Sequence, residues 1–186
     1  GYVGTGYNGN YQKDFYRFDP QAAAGQQWEI VNGFGGQKRQ GGTSFVIDDK
    51  AYICCGVNNG SYVYDFWCFD PSTGVFTQLQ DIADTSDDDY DDDYTSIVRA
   101  NAVSFVIDGK GYLVTGEYGS LLSNYWIYDP ATDLWEGEDL TAFEGSVRKN
   151  AVAFSTGTRG FVVTGQASSS YYDDTWELSP YEYEEE

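Results

Sequence analysis

Residues 102–135 read AVSFVIDGKGYLVTGEYGSLLSNYWIYDPATDLW, and the reading of this stretch decides the fold. Val103-Ser104-Phe105-Val106-Ile107 is an apolar run of strand-forming residues. Asp108-Gly109 follows and supplies the positive φ angles of a tight hairpin turn. A second β-run closes on Gly116, and a polar loop leads to a third that carries Trp126 and Tyr128. These two lie two residues apart, so they share one face of a strand. Asp129-Pro130 opens the next turn, with proline fixing φ at its first central position, and a fourth run carries Trp135.

The pattern returns along the chain in one register. An aromatic-Asp-Pro tripeptide stands at Phe18-Asp19-Pro20, Phe69-Asp70-Pro71 and Tyr128-Asp129-Pro130, with a weaker form at Leu178-Ser179-Pro180. A β-run closing on glycine stands at Tyr2-Val3-Gly4-Thr5-Gly6, Tyr52-Ile53-Cys54-Cys55-Gly56, Tyr112-Leu113-Val114-Thr115-Gly116 and Phe161-Val162-Val163-Thr164-Gly165. Arg39, Arg99 and Arg148 each precede a phenylalanine (Phe45, Phe105, Phe154) by six residues. Trp67, Trp126 and Trp176 stand four residues before the proline, with Tyr16 in that place in the first unit. Four antiparallel strands (a, b, c, d) at a period of about 50 residues make a propeller blade. The predicted blades span residues 1–31, 39–80, 98–136 and 148–186 of a single domain. The first lacks strand a, and Tyr181-Glu182-Tyr183 is a poor strand d for the last.

With the arginine start, the β-run to glycine, the Asp or Asn before an aromatic strand, the YDP-like turn and the following tryptophan, the chain resembles the kelch repeat of the galactose-oxidase-like superfamily. The resemblance covers nearly all of it. It departs where the usual double glycine after strand b is Thr-Gly or Cys-Gly. The fold expected is an all-β, kelch-type β-propeller, incomplete or part of a larger one, since propellers close with about 4–8 blades. An open arc would expose aromatic blade faces, so missing repeats, a second chain or closure as a compact four-bladed ring is expected to cover them. The chain opens directly at a strand b with neither initiator methionine nor signal peptide, as a processed chain or part of something longer would.

A net charge of −20 argues against nucleic acid, whose phosphates need a basic partner surface, and no apolar run is long enough for membrane insertion. Cys54 and Cys55 are adjacent on strand b and Cys68 lies on strand c; they read as small buried residues and do not decide the redox compartment.

Strands that alternate in direction put the a–b and c–d turns on one face and the b–c and d–a loops on the other. The second face holds the longer loops, where binding residues gather on a rigid scaffold. They include Asn58, Asn59, Tyr62, Glu117 and Tyr118. Arg39, Arg99 and Arg148 begin strand a on the same face, three of only ten basic residues converging near the axis. Two readings apply to them: a rim that grips an anionic group bidentately, or pins that hold blade carbonyls and carboxylates together. The d–a connection 84–94 holds seven Asp in eleven residues. It reads as a solvated, mutually repelling loop or as a weak calcium site on Asp87, Asp89, Asp91 and Asp93. No other cofactor is expected.

The resemblance implies that peptides and ligands dock on the loop face. The galactose oxidases of this fold need histidine ligands, and this chain has no histidine. Sialic-acid mutarotases use a kelch-like propeller too, and here Glu117 is the one carboxylate placed to act beside the arginines. The function expected is a non-catalytic binding propeller for a protein or glycan ligand, either a sugar or an acidic peptide, in a secreted or cell-surface bacterial protein. The alternatives are a carbohydrate-active enzyme of the mutarotase kind and a structural subunit of a surface assembly.

Overall fold

Hairpin turns form where the residues tolerate left-handed backbone. Asp108 and Gly109 have φ of 48° and 77°, and Asp48 and Asp49 have 49° and 61°, the type I′ pattern that matches strand twist. Each Asp-Pro turn is held by its own aspartate, whose carboxylate accepts the N–H two residues on: Gln21, Ser72 or Ala131. The computed structural model describes residues 1–137, 140 and 142–178, and between these turns every strand pairing is antiparallel.

The first unit comprises β1 (Tyr2–Tyr7), β2 (Tyr11–Phe18) and β3 (Trp28–Val31), hydrogen-bonded in that order. The second is β4 (Thr43–Ile47), β5 (Lys50–Cys54), β8 (Trp67–Asp70) and β9 (Val75–Gln78), with a small hairpin, β6 (Val57–Asn58) and β7 (Ser61–Tyr62), between its second and third strands. The third repeats this arrangement as β10 (Val103–Ile107), β11 (Lys110–Val114), β14 (Tyr125–Asp129) and β15 (Leu134–Glu136), with the hairpin β12 (Glu117–Tyr118) and β13 (Ser120–Leu121). The fourth has β16 (Val152–Ser155), β17 (Gly160–Val163) and β20 (Thr175–Leu178), with the hairpin β18 (Gln166–Ala167) and β19 (Ser170–Tyr171). Ser179-Pro180 and the strand d expected at Tyr181-Glu182-Tyr183 lie outside the described residues. Among those described, no helix is long and apolar enough to cross a membrane.

The core lies between successive sheets. Phe45, Tyr52 and Phe66 of the second unit pack against Trp126, Tyr128 and Trp135 of the third. Phe105, Tyr112 and Tyr125 of the third meet Val162 and Leu178 of the fourth. Phe15 and Phe34 meet Trp67 and Phe69. In each unit with a strand a, its phenylalanine stacks on the aromatic opposite it in strand b: Phe45–Tyr52 at 5.4 Å, Phe105–Tyr112 at 5.7 Å and Phe154–Phe161 at 4.9 Å between centroids. Each such pair contributes about 0.5–1.5 kcal/mol beyond its burial. The ring of Phe45 needs Gly111 of the next unit, because a Cβ there would overlap it.

The strands a face one another across the hub. The Thr43 and Ser104 hydroxyls are 2.8 Å apart, and Ser104 Oγ donates to the Ser44 carbonyl at 2.9 Å. Among the described residues the four sheets do not close into a ring. That corrects the compact four-bladed alternative: successive units pack face to face, and no other described residues cover the outer faces of the first and last. Val3, Tyr16 and Ile30 are cross-strand neighbours on one and exposed; Val152 and Phe154 are exposed on the other.

Candidate functional site

The face is built where the strand-b glycines turn the chain toward the hub. Gly56 and Gly116 have φ of 97° and 90°, and a Cβ on either would lie 2.7 or 2.8 Å from the carbonyl oxygen of Gln40 or Ala100. Glycine is therefore required there on two counts. From this position the N–H groups of Gly6, Gly56 and Gly116 donate to the carbonyls of Arg39, Arg99 and Arg148 at 2.7, 2.8 and 2.9 Å, each reaching the next unit. The residue after each arginine then pairs with the small hairpin of its own unit: Gln40 with Val57, Ala100 with Glu117, Lys149 with Gln166. The hairpins and the arginine-bearing segments thus share one face, as strand alternation predicts.

The arginine side chains turn away from that face into the protein, and all three are fully buried. Their bonding repeats from unit to unit. Nε donates to the carbonyl two residues earlier (Gln37, Ile97, Ser146). Nη1 donates to the carbonyl of the residue just past strand b: Cys55 at 3.2 Å, Thr115 at 2.9 Å, Thr164 at 2.9 Å. Nη2 reaches Asp65, Asn124 at 3.0 Å and Asp174 at 2.9 Å. An aromatic five residues upstream flanks two of the guanidinium groups, Phe34 at 5.6 Å from that of Arg39 and Phe143 at 5.5 Å from that of Arg148, which also lies 4.4 Å from Tyr172. Arg148 holds the Asp174 carboxyl down to about 2. Arg99 faces only neutral oxygens, and burial lowers its pKa to about 10. This is the geometry of pins. An anion-gripping rim needs exposed donors, and these are consumed within the blades.

The pins also account for the Thr-Gly and Cys-Gly pairs. Thr5, Cys55, Thr115 and Thr164 have φ between 60° and 65°, a left-handed conformation costly for a side chain with a Cβ. In three of the four units the arginine binds the carbonyl at that position and holds the strained turn. Cys54 and Cys55 are completely buried, Cys68 is half-buried, and all three thiols are free.

The Glu117 carboxylate is engaged at both oxygens. Lys149 Nζ donates to one of its oxygens at 2.7 Å and Asn101 Nδ2 to the other at 2.8 Å, which ties the third unit to the fourth. Tyr62 and Tyr118 come together with ring centroids 4.5 Å apart, and the Tyr62 hydroxyl accepts the Gly119 N–H at 2.9 Å. Asn58 and Asn59 border a cleft of about 170 Å³ together with Asn10, Tyr11 and Lys38. A second cleft of about 350 Å³ lies over the fourth unit, lined by Asn150, Gln166, Tyr171 and Tyr172. Tyr118 is 50% exposed and Tyr171 83% exposed.

The acidic connection is exposed at six of its seven aspartates and departs from the solvated reading at one. Asp91 turns inward and is fully buried; its carboxylate accepts the N–H groups of Thr85 and Ser86, each at 3.0 Å, and the Ser86 hydroxyl at 2.8 Å. These bonds hold its carboxyl below the usual range. Tyr94 packs on Trp126, and its hydroxyl accepts the Trp135 N–H at 2.8 Å. Among the described residues, Asp87, Asp89 and Asp93 do not gather with Asp91 into a cluster of three carboxylates.

Sequence reasoning missed the partners of the pins. Asp65, Asn124 and Asp174 stand two residues before the strand-c tryptophan in every unit that has one, a signal present in the repeat but mute about what it binds.

Residues 38–81, the second unit, match the family described as Kelch motif. No curated protein matches the chain. The chain thus carries a kelch motif within an all-β array of antiparallel three- and four-stranded sheets, the architecture of a partial, unclosed kelch propeller.

Proposed function

We propose that this chain is a non-catalytic binding module whose ligand is a glycan lying across the hairpin face. The observation that carries the reading is the contrast on that face: tyrosine rings stand exposed among amides, while the arginine donors are spent inside. Tyr7, Tyr118 and Tyr171 offer flat apolar rings, and Asn10, Asn58, Asn59, Asn150 and Gln166 offer donors and acceptors beside them. Aromatic faces suit the CH-rich sides of sugars and amides suit their hydroxyls. An acidic peptide would need several free cations; Lys149 is bound to Glu117, and the two clefts offer one other lysine, Lys38. The acidity and polar, aromatic loops also support a place outside the cell or on a bacterial surface.

Titration calorimetry against neutral oligosaccharides, sialic acid and acidic peptides tests this. Sugar binding that Tyr118→Ala and Tyr171→Ala each weaken by about tenfold, with little salt dependence, is expected. Preferential, salt-sensitive binding of acidic peptides would refute the glycan reading.

A further inference from the structure

The aromatic five residues ahead of each arginine meets a strand-c tryptophan edge to face. Phe34–Trp67, Tyr94–Trp126 and Phe143–Trp176 have centroids 5.4, 6.1 and 6.0 Å apart and planes crossed at 64°, 77° and 70°. In the third unit the acidic connection adds a further ring. Tyr90 stands 5.9 Å from Tyr94 with its plane at 79°. Tyr90, Tyr94 and Trp126 are thus three successive walls, each near a right angle to the next, and walls so crossed form a corner rather than a stack.

A cleft of about 200 Å³ opens there, lined by these three rings together with Trp135, Asp93 and Glu136. It shares no residue with the two clefts of the hairpin face. Its walls are fixed by the protein itself. The Tyr94 hydroxyl accepts the Trp135 main-chain N–H at 2.8 Å, the Trp126 Nε1 donates to the Ser96 hydroxyl at 3.3 Å, and a Cβ at Gly137 would overlap the Trp126 ring. Walls set in advance lower the cost of ordering on binding. Trp135 is only 6% exposed, and its indole N–H has no partner among the described residues. A buried donor of this kind calls for an acceptor oxygen.

The lining decides the charge of an occupant. Aromatic faces are negative, Asp93 and Glu136 are exposed carboxylates, and no lysine or arginine lines the cleft. An anion is repelled on every side. A bare metal ion wants several oxygen ligands, and no cluster of three carboxylates stands among the described residues. An organic cation meets both parts of the lining: the rings attract it through their quadrupoles, and the carboxylates attract it by charge. Methyl groups on its nitrogen need no hydrogen bonds from aromatic walls. A net charge of −20 further concentrates cations at the surface.

We infer that this cleft is a binding site for an organic cation of the trimethylammonium class that carries an oxygen near its charge. The rings of Tyr90, Tyr94 and Trp126 enclose the methylated nitrogen, Asp93 and Glu136 balance its charge, and the oxygen accepts from the Trp135 indole.

Choline is the probe, with dimethylbutanol, its neutral isostere in which carbon replaces nitrogen, as the control. An NMR titration of the whole chain reads the indole N–H signals. Choline is expected to shift those of Trp126 and Trp135 saturably, and the isostere should bind at least ~tenfold more weakly. Tyr90→Phe keeps the wall and should leave choline affinity unchanged. Tyr90→Leu keeps apolar bulk without a ring and should weaken binding by about fivefold, while unshifted Trp28, Trp67 and Trp176 signals report an intact fold. Replacing Asp93→Asn and Glu136→Gln together should weaken binding at low salt, by a margin that fades as salt rises. No saturable shift of the two indoles, equal binding of choline and its isostere, equal affinities of the Phe and Leu variants, or a salt-independent effect of the paired replacement would overturn the inference.

Discussion

At the scale of single residues, the three arginines differ in one atom type, and that difference is testable. Arg39 and Arg148 face aspartates, whereas Arg99 faces Asn124 and the carbonyls of Ser96, Ile97, Thr115 and Asn124. A buried charge with only neutral partners is costly, so Asn124→Asp is expected to raise stability by about 1–2 kcal/mol at neutral pH. The Ser96 hydroxyl beside it can turn to donate to the new carboxylate. A carboxyl whose pKa is depressed by folding stabilises above its unfolded pKa, and the gain is lost as pH falls through its folded value. Asp174, held at about 2 by Arg148 from an ordinary 3.8, marks that window. Urea unfolding of wild type and variant at pH 7 and near pH 2 checks both parts, and an equal gap at the two pH values would contradict the electrostatic account. Conversely, Arg99→Ala should lower stability by about 3 kcal/mol or more, because it strands buried carbonyls, with the ligand affinity of the variant that remains folded little changed. Thr164 stands exposed at a φ of 60°, so Thr164→Gly relieves backbone strain without opening a cavity. A gain of about 0.5–1 kcal/mol is expected, the strain less the freedom glycine adds to the unfolded chain; a loss in the same unfolding assay would mean the left-handed turn carries no strain.

At the scale of elements, the acidic connection 84–94 shows how a run of like charges can fold. Six of its seven aspartates repel one another, and the seventh, Asp91, is turned inward to cap the N–H groups of Thr85 and Ser86. Tyr94 then anchors the far end on Trp126 and β15. Asp91→Ala removes the cap and leaves the repulsion, so limited proteolysis should cut within 84–94 sooner and the melting temperature should fall. Unchanged protection would mean that Tyr94 alone holds the connection. The small hairpins are tied across units: Tyr62 holds Gly119, and Glu117 is clamped between Asn101 and Lys149. A carboxylate so engaged serves the joint between two blades.

At the scale of the whole molecule, the two outer blade faces are unequal and complementary. One exposes Val3, Tyr16, Trp28 and Ile30, the surface that in later units lies against a preceding blade; the other exposes Val152 and Phe154, which in earlier units lie against a following one. Apolar faces of this kind attract, while a net charge of −20 repels. At about 0.1 M salt the Debye length is only ~10 Å, so screening should tip the balance. Light scattering is expected to show self-association that rises with salt and that Trp28→Lys reduces. A monomer at every ionic strength would show that these faces do not attract one another.

The sequence by itself determined the unit and its punctuation. Strand alternation, the Asp-Gly and Asp-Pro turns and the glycine after strand b act over a few residues, so they can be read without knowing what packs where. The same local logic put the variable loops on one face with Arg39, Arg99 and Arg148, which it set at the start of strand a and which stand four residues ahead of it. Only the tertiary structure decided where the guanidinium groups point, because their partners Asp65, Asn124 and Asp174 lie 26, 25 and 26 residues away and meet them through strand pairing. The inward turn of Asp91, the clamp on Glu117 and the open outer faces belong to the same class. Each is settled by competition between burial and solvation among groups from different strands, a balance that residue periodicity does not encode.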